Sequence, residues 1–119
     1  MDKHSGISTH FIVRGRVWID SDNGPFLGAG RIELLKSIME HGSITKAAKA
    51  MKMAYRQAWH LIESMNAKAE KPLVVSVTGG KGGGGATVTA EGLKMIAAFE
   101  KLEAAFAAFV KVHSEDFQI

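Results

Sequence analysis

The chain contains no cysteine, only two prolines and one tyrosine, and no acidic residue anywhere from Ser43 to His60. Each of these absences excludes something. Without cysteine there is no disulfide framework, no thiolate nucleophile and no zinc–thiolate site, and the composition fits a reducing cytoplasm. No apolar run approaches the roughly 20 residues a membrane helix needs, and the polar start Met1–Gly6 has no signal core. A cytoplasmic protein without a membrane partner is therefore expected. The 119 residues suffice for one domain with a core of its own. The acid-free segment holds Lys46, Lys49, Lys52 and Arg56, whereas from Ala90 onward five acids face three lysines. A basic middle and an acidic tail suit one surface aimed at an anion and a second surface that is not.

Residues 1–9 read as a flexible N-terminus. Phe11, Val13, Val17 and Ile19 alternate with Arg14, Arg16, Trp18 and Asp20, the period of a half-buried strand. Asp22-Asn23-Gly24-Pro25 is a turn, with a short return strand at Phe26-Leu27. From Gly30 the period becomes helical, with Ile32, Leu35, Ile38 and Met39 on one face, and the helix stops near Gly42. Ser43-Ile44-Thr45 restarts a helix, with Thr45 as the expected N-cap. Ala47, Ala48 and Met51 in it are small enough, or supple enough, for another helix to approach. A third helix is expected over Ala54–Ala67, with Ala58, Leu61, Ile62 and Met65 inward. After Pro72, Leu73, Val75 and Val77 alternate up to a glycine tract, and Ala86 and Val88 continue the ribbon. A last helix, about Ala90–Val112, spaces Leu93, Ile96, Phe99, Leu102, Phe106 and Phe109 by three and four. The order is mostly α with a small β component: a winged helix-turn-helix over 10–89, then a long helix and short tail over 90–119.

The tract Thr78-Gly-Gly-Lys-Gly-Gly-Gly-Gly85 fails as a phosphate loop of the Walker type. Val75 stands where its first glycine belongs, Gly82 replaces the serine or threonine, and a strand follows instead of a helix. Two readings remain: a hairpin tip without a role, and a wing whose Gly80, Lys81 and Gly82 lie along a nucleic-acid backbone or in a minor groove. Asp20-Ser-Asp22-Asn-Gly24 misses the register of a calcium loop, with Arg31 in place of the bidentate glutamate. The five histidines lack ligand spacing, and no nucleophile–base set or carboxylate pair stands out, so neither a metal site nor catalysis is expected.

On the exposed start of the third helix, Tyr55, Arg56, Gln57 and His60 form a base-reading set, since Arg suits guanine and Gln suits adenine. Singly, each reads first as an ordinary solvated side chain. Trp59 fits either a half-buried wedge against the wing or a DNA-facing ring. Thr45, Lys46, Lys49 and Lys52 are candidate phosphate contacts. The stripe on the last helix either packs wholly on its own domain or extends into a dimer seam through Phe99, Leu102, Phe106 and Phe109.

The segment from Gly42 to Trp59 (GSITKAAKAMKMAYRQAW) resembles the helix-turn-helix of the ModE family, the molybdate-dependent transcriptional regulators, and more distantly the LysR type. Asn66, the tract Thr78–Ala86 and Thr89-Ala-Glu-Gly92 resemble that family's wing and the start of its dimer helix. The resemblance covers about residues 15–112. It implies a homodimer formed through the N-terminal strand region and the last helix. The implied partner is double-stranded DNA, a palindromic operator near molybdate-transport or molybdoenzyme genes. Tyr55 and Arg56 match the family's aromatic–basic pair, and Lys81 with its glycines matches the wing. The family's C-terminal oxyanion-binding modules have no counterpart in this sequence. No cofactor is therefore expected, and oxyanion sensing would fall to a separate sensor protein. Ala54 departs from the serine cap of the wider group, at a cost of about 1 kcal/mol. The competing reading is a winged-helix module that binds a protein or an oxyanion without reading DNA.

Overall fold

A computed structural model of the chain describes residues 10–77 and 84–118. The elements run β1 (Ile19–Ser21), β2 (Gly24–Leu27), α1 (Ala29–His41), α2 (Ile44–Ala50), α3 (Tyr55–Lys68), β3 (Val74–Val77), β4 (Gly85–Val88) and α4 (Ala90–Asp116). The two strand pairs, β1–β2 and β3–β4, are both antiparallel. This is the expected winged helix-turn-helix with a long C-terminal helix.

The core forms where α1, α2 and α3 meet the inner face of β3–β4 and the first turns of α4. Its fully buried large side chains are Leu34, Leu35, Ile38, Met65, Leu73 and Phe99. Small residues sit where helices cross: Ala47 and Ala48 of α2 and Ala58 of α3 are buried to the backbone. On α1 the inward face is Ile32, Leu34, Leu35 and Ile38, while Met39, expected inward, is exposed. The α1 carboxyl end stops at Gly42, whose φ of 77° is the left-handed cap only glycine adopts freely.

One residue then separates α1's cap from α2, and this decides the next cap. Ser43, with extended backbone, accepts the Lys46 N–H on its hydroxyl at 3.0 Å. Thr45, the cap expected from sequence, lies inside the helix. The turn after α2 closes with the Lys52 N–H donating to the Lys49 carbonyl and the Met53 N–H to that of Ala48. That pair of bonds is a Schellman motif. Its left-handed position is Lys52, at φ 57°, where glycine is usual.

Three connections fix the wing against the helices. The Asn66 side chain accepts the N–H groups of Leu73 (2.8 Å) and Val74 (3.3 Å) and donates to the Val74 carbonyl (2.9 Å). The Ala86 N–H donates to the Gly42 carbonyl at 2.9 Å. Thr89 caps α4 by accepting from Gly92 N–H at 3.0 Å and donates its hydroxyl proton to the Pro72 carbonyl. In the β3–β4 register Val74 faces Val88 and Ser76 faces Ala86. Cross-strand partners share a face, so Val74, Ala86 and Val88 turn inward and Val75 and Val77 outward. The alternating Val75 and Val77 thus lie on the exposed face of the ribbon.

The N-terminal alternation serves a helix, not a sheet. Residues 11–17 form no strand; they run extended beside the distal half of α4. Val13 N–H donates to Ser114 Oγ at 2.7 Å, Phe11 N–H donates to Gln118 Oε1 at 3.2 Å, and Phe11 meets Phe117 edge-on. Only Ile19–Ser21 of the expected strand pairs. Helix α4 itself continues past Val112 to Asp116. Arg31 of α1 ties the first hairpin to α3 by donating to the carbonyls of Pro25 and Phe26 and to Ser64 Oγ. Its partial burial lowers its pKa. Lys36 of α1 pairs with Glu100 of α4, and the hydrogen bond to that carboxylate raises the lysine's pKa.

Candidate nucleic-acid interface

Helices α2 and α3 present their basic residues outward. Lys46 and Lys49 are exposed on α2, Lys52 at the turn and Arg56 in the first turn of α3. Among the described residues none of the four is in an ion pair, and no acid interrupts them. A cationic surface whose charges are not neutralised from within the chain is what an anionic partner requires.

Helix α3 is amphipathic in a way that orients this surface. Ala58, Ile62 and Met65 face the core, with Leu61 at its edge. The side chains at the helix start therefore turn outward. Tyr55, Arg56, Trp59 and His60 surround one open hollow, with Tyr55 51 % and Trp59 40 % exposed. Among the described residues no wing residue lines this hollow, and the Trp59 ring lies at its edge, neither buried nor free of the helix. Gln57 departs from the set. It lines a separate apolar depression with Trp18, Met51, Met53 and Leu61, on the side toward the helix-turn-helix turn.

A third depression joins three elements. Ser43, Ile44 and Thr45 at the start of α2, Tyr55 at the start of α3, and Ser76, Val77, Gly84 and Gly85 of the wing strands line it together. Thr45 thus faces this depression although it is not a cap. The wing is held close: a Cβ on Gly85 would lie 2.8 Å from the Gly42 carbonyl oxygen. Gly80, Lys81 and Gly82 lie outside the described residues. Ala54 precedes α3 without any side-chain hydrogen bond to the helix, as its missing hydroxyl requires.

Sequence reasoning overlooked Ser43 and Ser76 beside this depression, and the role of Asn66 in fixing the wing's angle to α3. Asn66 carried a readable signal, a polar residue one step from the inward-facing Met65 near the end of its helix. Phe99 is the one dimer candidate that the fold claims for itself. It is 0 % exposed and packs in the chain's own core, so it is not available to a second copy. Leu102 and Phe109 are 39 % and 57 % exposed, and Phe106 is partly covered by the N-terminal arm. No cluster of metal-ligating side chains occurs among the described residues, and no helix there is long and apolar enough to cross a membrane.

Comparison with known proteins agrees with this geometry. Residues 30–93, more than half of the chain, match the model of the bacterial regulatory helix-turn-helix proteins of the lysR family. The chain is 42 % identical over 96 residues to the molybdenum transport protein ModE of Azotobacter vinelandii, covering 81 % of this chain and 35 % of that one. It is 42 % identical over 84 residues to the molybdenum-pterin-binding protein MopB of Rhodobacter capsulatus, covering 71 % and 31 %. It is 44 % identical over 77 residues to the DNA-binding transcriptional dual regulator ModE of Escherichia coli K12, covering 65 % and 29 %. The chain spans about a third of the length of these relatives. With the helix-turn-helix, the wing and these matches in agreement, the chain belongs to the lysR-type regulatory helix-turn-helix family, among relatives of the ModE kind.

Proposed function

We propose that this chain binds double-stranded DNA as a homodimer and regulates transcription of molybdenum-related genes through a palindromic operator. The observation that carries the reading is the basic surface of α2 and the first turns of α3, without an acid from Ser43 to His60, where among the described residues Lys46, Lys49, Lys52 and Arg56 are in no ion pair around the exposed start of the recognition helix. Arg56 and its neighbours Tyr55 and His60 read base edges in the major groove, with Gln57 at the margin of the set. Thr45 and the three lysines hold backbone phosphates and set the register. Lys81, flanked by Gly80 and Gly82, extends the contact along the backbone from the wing. The distal half of α4, with Leu102, Phe106 and Phe109, forms the dimer seam that matches protein symmetry to operator symmetry. The link to molybdenum rests on the names of the relatives alone.

The test is a binding-site selection at fixed salt with the purified chain, followed by Arg56→Ala. Operator affinity should fall by about 1–3 kcal/mol, with preference relaxed at one base pair. Equal losses on operator and on random duplex would remove the base-reading role. A chain that binds no duplex at about 50 mM salt, where counterion release helps most, would favour a protein- or oxyanion-binding module instead.

A further inference from the structure

The recognition helix leaves two large aromatic rings in solvent at its working end. Tyr55 and Trp59 are one turn apart, a spacing that places them on one helix face. With Arg56 and His60 they wall an open hollow of about 470 Å3. His60 meets the Trp59 indole edge-on, with ring centroids 5.3 Å apart and planes at 72°. That contact braces the indole, which remains exposed. No acidic residue lines the hollow, and a guanidinium forms part of its rim.

The major-groove edges of DNA offer hydrogen-bond donors and acceptors and a single apolar group, the 5-methyl of thymine. Aromatic walls gain little from the polar groups and gain from the methyl. We infer that the Tyr55–Trp59 hollow receives a thymine 5-methyl group in the base pair next to the one Arg56 contacts. The inference rests on the DNA-binding reading above and adds a base identity to it. Trp59 then sets specificity by excluding water from a methyl, and Arg56 by charge-assisted hydrogen bonds to the neighbouring base.

The experiment uses the full chain and the duplex enriched by binding-site selection. Each thymine is replaced in turn by deoxyuridine, which keeps every hydrogen-bonding group and lacks only the methyl. One thymine per half-site should lose about fourfold in affinity on replacement, the worth of one buried carbon. In Trp59→Ala that sensitivity should vanish while effects at other positions persist. Tyr55→Ala, at an exposed helix start, is measured beside it, with the helical content of both checked by circular dichroism. A selected site with no deoxyuridine-sensitive thymine overturns the inference. So does a sensitive thymine whose effect survives in full in the folded variants. Failure to enrich any duplex would instead remove the DNA-binding reading, and this inference with it.

Discussion

The two halves of α4 are built from similar residues and meet opposite fates. In the first half Ile96 and Phe99 are buried against the helical core and Gly92 packs against the backbone of Leu73, just before β3. In the second half Leu102, Phe109 and Val112 stand exposed, Phe106 and Val110 are half-covered, and no residue is buried. Every buried hydrophobic side chain of the described residues lies between Leu27 and Phe99. The domain's core is therefore complete before the helix is half run. What accompanies the distal half is the extended arm of residues 11–17, and between arm and helix lies an apolar groove of about 820 Å3. A helix this short beyond its support is marginal in water, which is the physical reason to read the distal stripe as a surface for a second copy.

The sharpest way to break this comparison is to truncate one phenylalanine in each half. Phe99→Ala should cost about 3–5 kcal/mol of folding stability, the loss expected for a fully buried ring. Phe109→Ala should change the stability of the isolated chain by less than about 0.5 kcal/mol, as exposed sites do, while weakening self-association. Urea unfolding at low protein concentration reads the first, and sedimentation velocity across a dilution series reads the second. Equal folding losses would show that the distal half belongs to the core after all.

Two glycines offer a milder contrast. A Cβ on Gly92 would lie 2.4 Å from the Leu73 carbonyl oxygen and 2.6 Å from Val88 Cγ1, whereas one on Gly30 in α1 would meet nothing within 4 Å. Gly92→Ala should destabilise by about 1–3 kcal/mol because the obstructing carbonyl is backbone held in place by the Thr89 N–H. Gly30→Ala should stabilise by about 0.4–1 kcal/mol through the unfolded chain's lost freedom. Thermal unfolding of the pair measures both. A Gly92→Ala variant as stable as the parent would mean that α4 can shift off the wing without loss.

Much of this architecture was legible from spacing. The inward face of α3, the restart after Gly42 and the ribbon around the glycine tract all follow from periods of 3.6 and 2. What spacing left open has identifiable causes. The alternation of residues 11–17 is real, but period two reports only that one side of an extended chain is apolar. It does not say whether a strand or a helix covers that side. Val75 and Val77 face solvent because their register is set by Asn66, which anchors Leu73 and Val74, and no propensity encodes that bond. Ser43 and Thr45 are both good caps, and only the one-residue gap left by Gly42 selects Ser43. At the candidate interface, the exposure of Tyr55, Arg56 and His60 follows from their place at the start of the helix. The separation of Gln57 from Arg56 depends on the packing of Met51 and Met53, which spacing does not reveal.

The last contrast concerns Lys52, where fold and proposed function pull in different directions. Its left-handed backbone, at φ 57°, is disfavoured for any residue with a Cβ, yet the position offers a cation at the turn between α2 and α3. Lys52→Gly should raise stability by about 1 kcal/mol by relieving the Cβ–carbonyl crowding. The same variant should lower the slope of log affinity against log salt by about 1, the share of one lost phosphate contact. Lys52→Ala separates the two effects: the charge is lost and the crowding kept, so the slope should fall without the gain in stability. A slope unchanged in both variants would remove Lys52 from the phosphate contacts. A strained lysine would then stand where stability alone favours glycine.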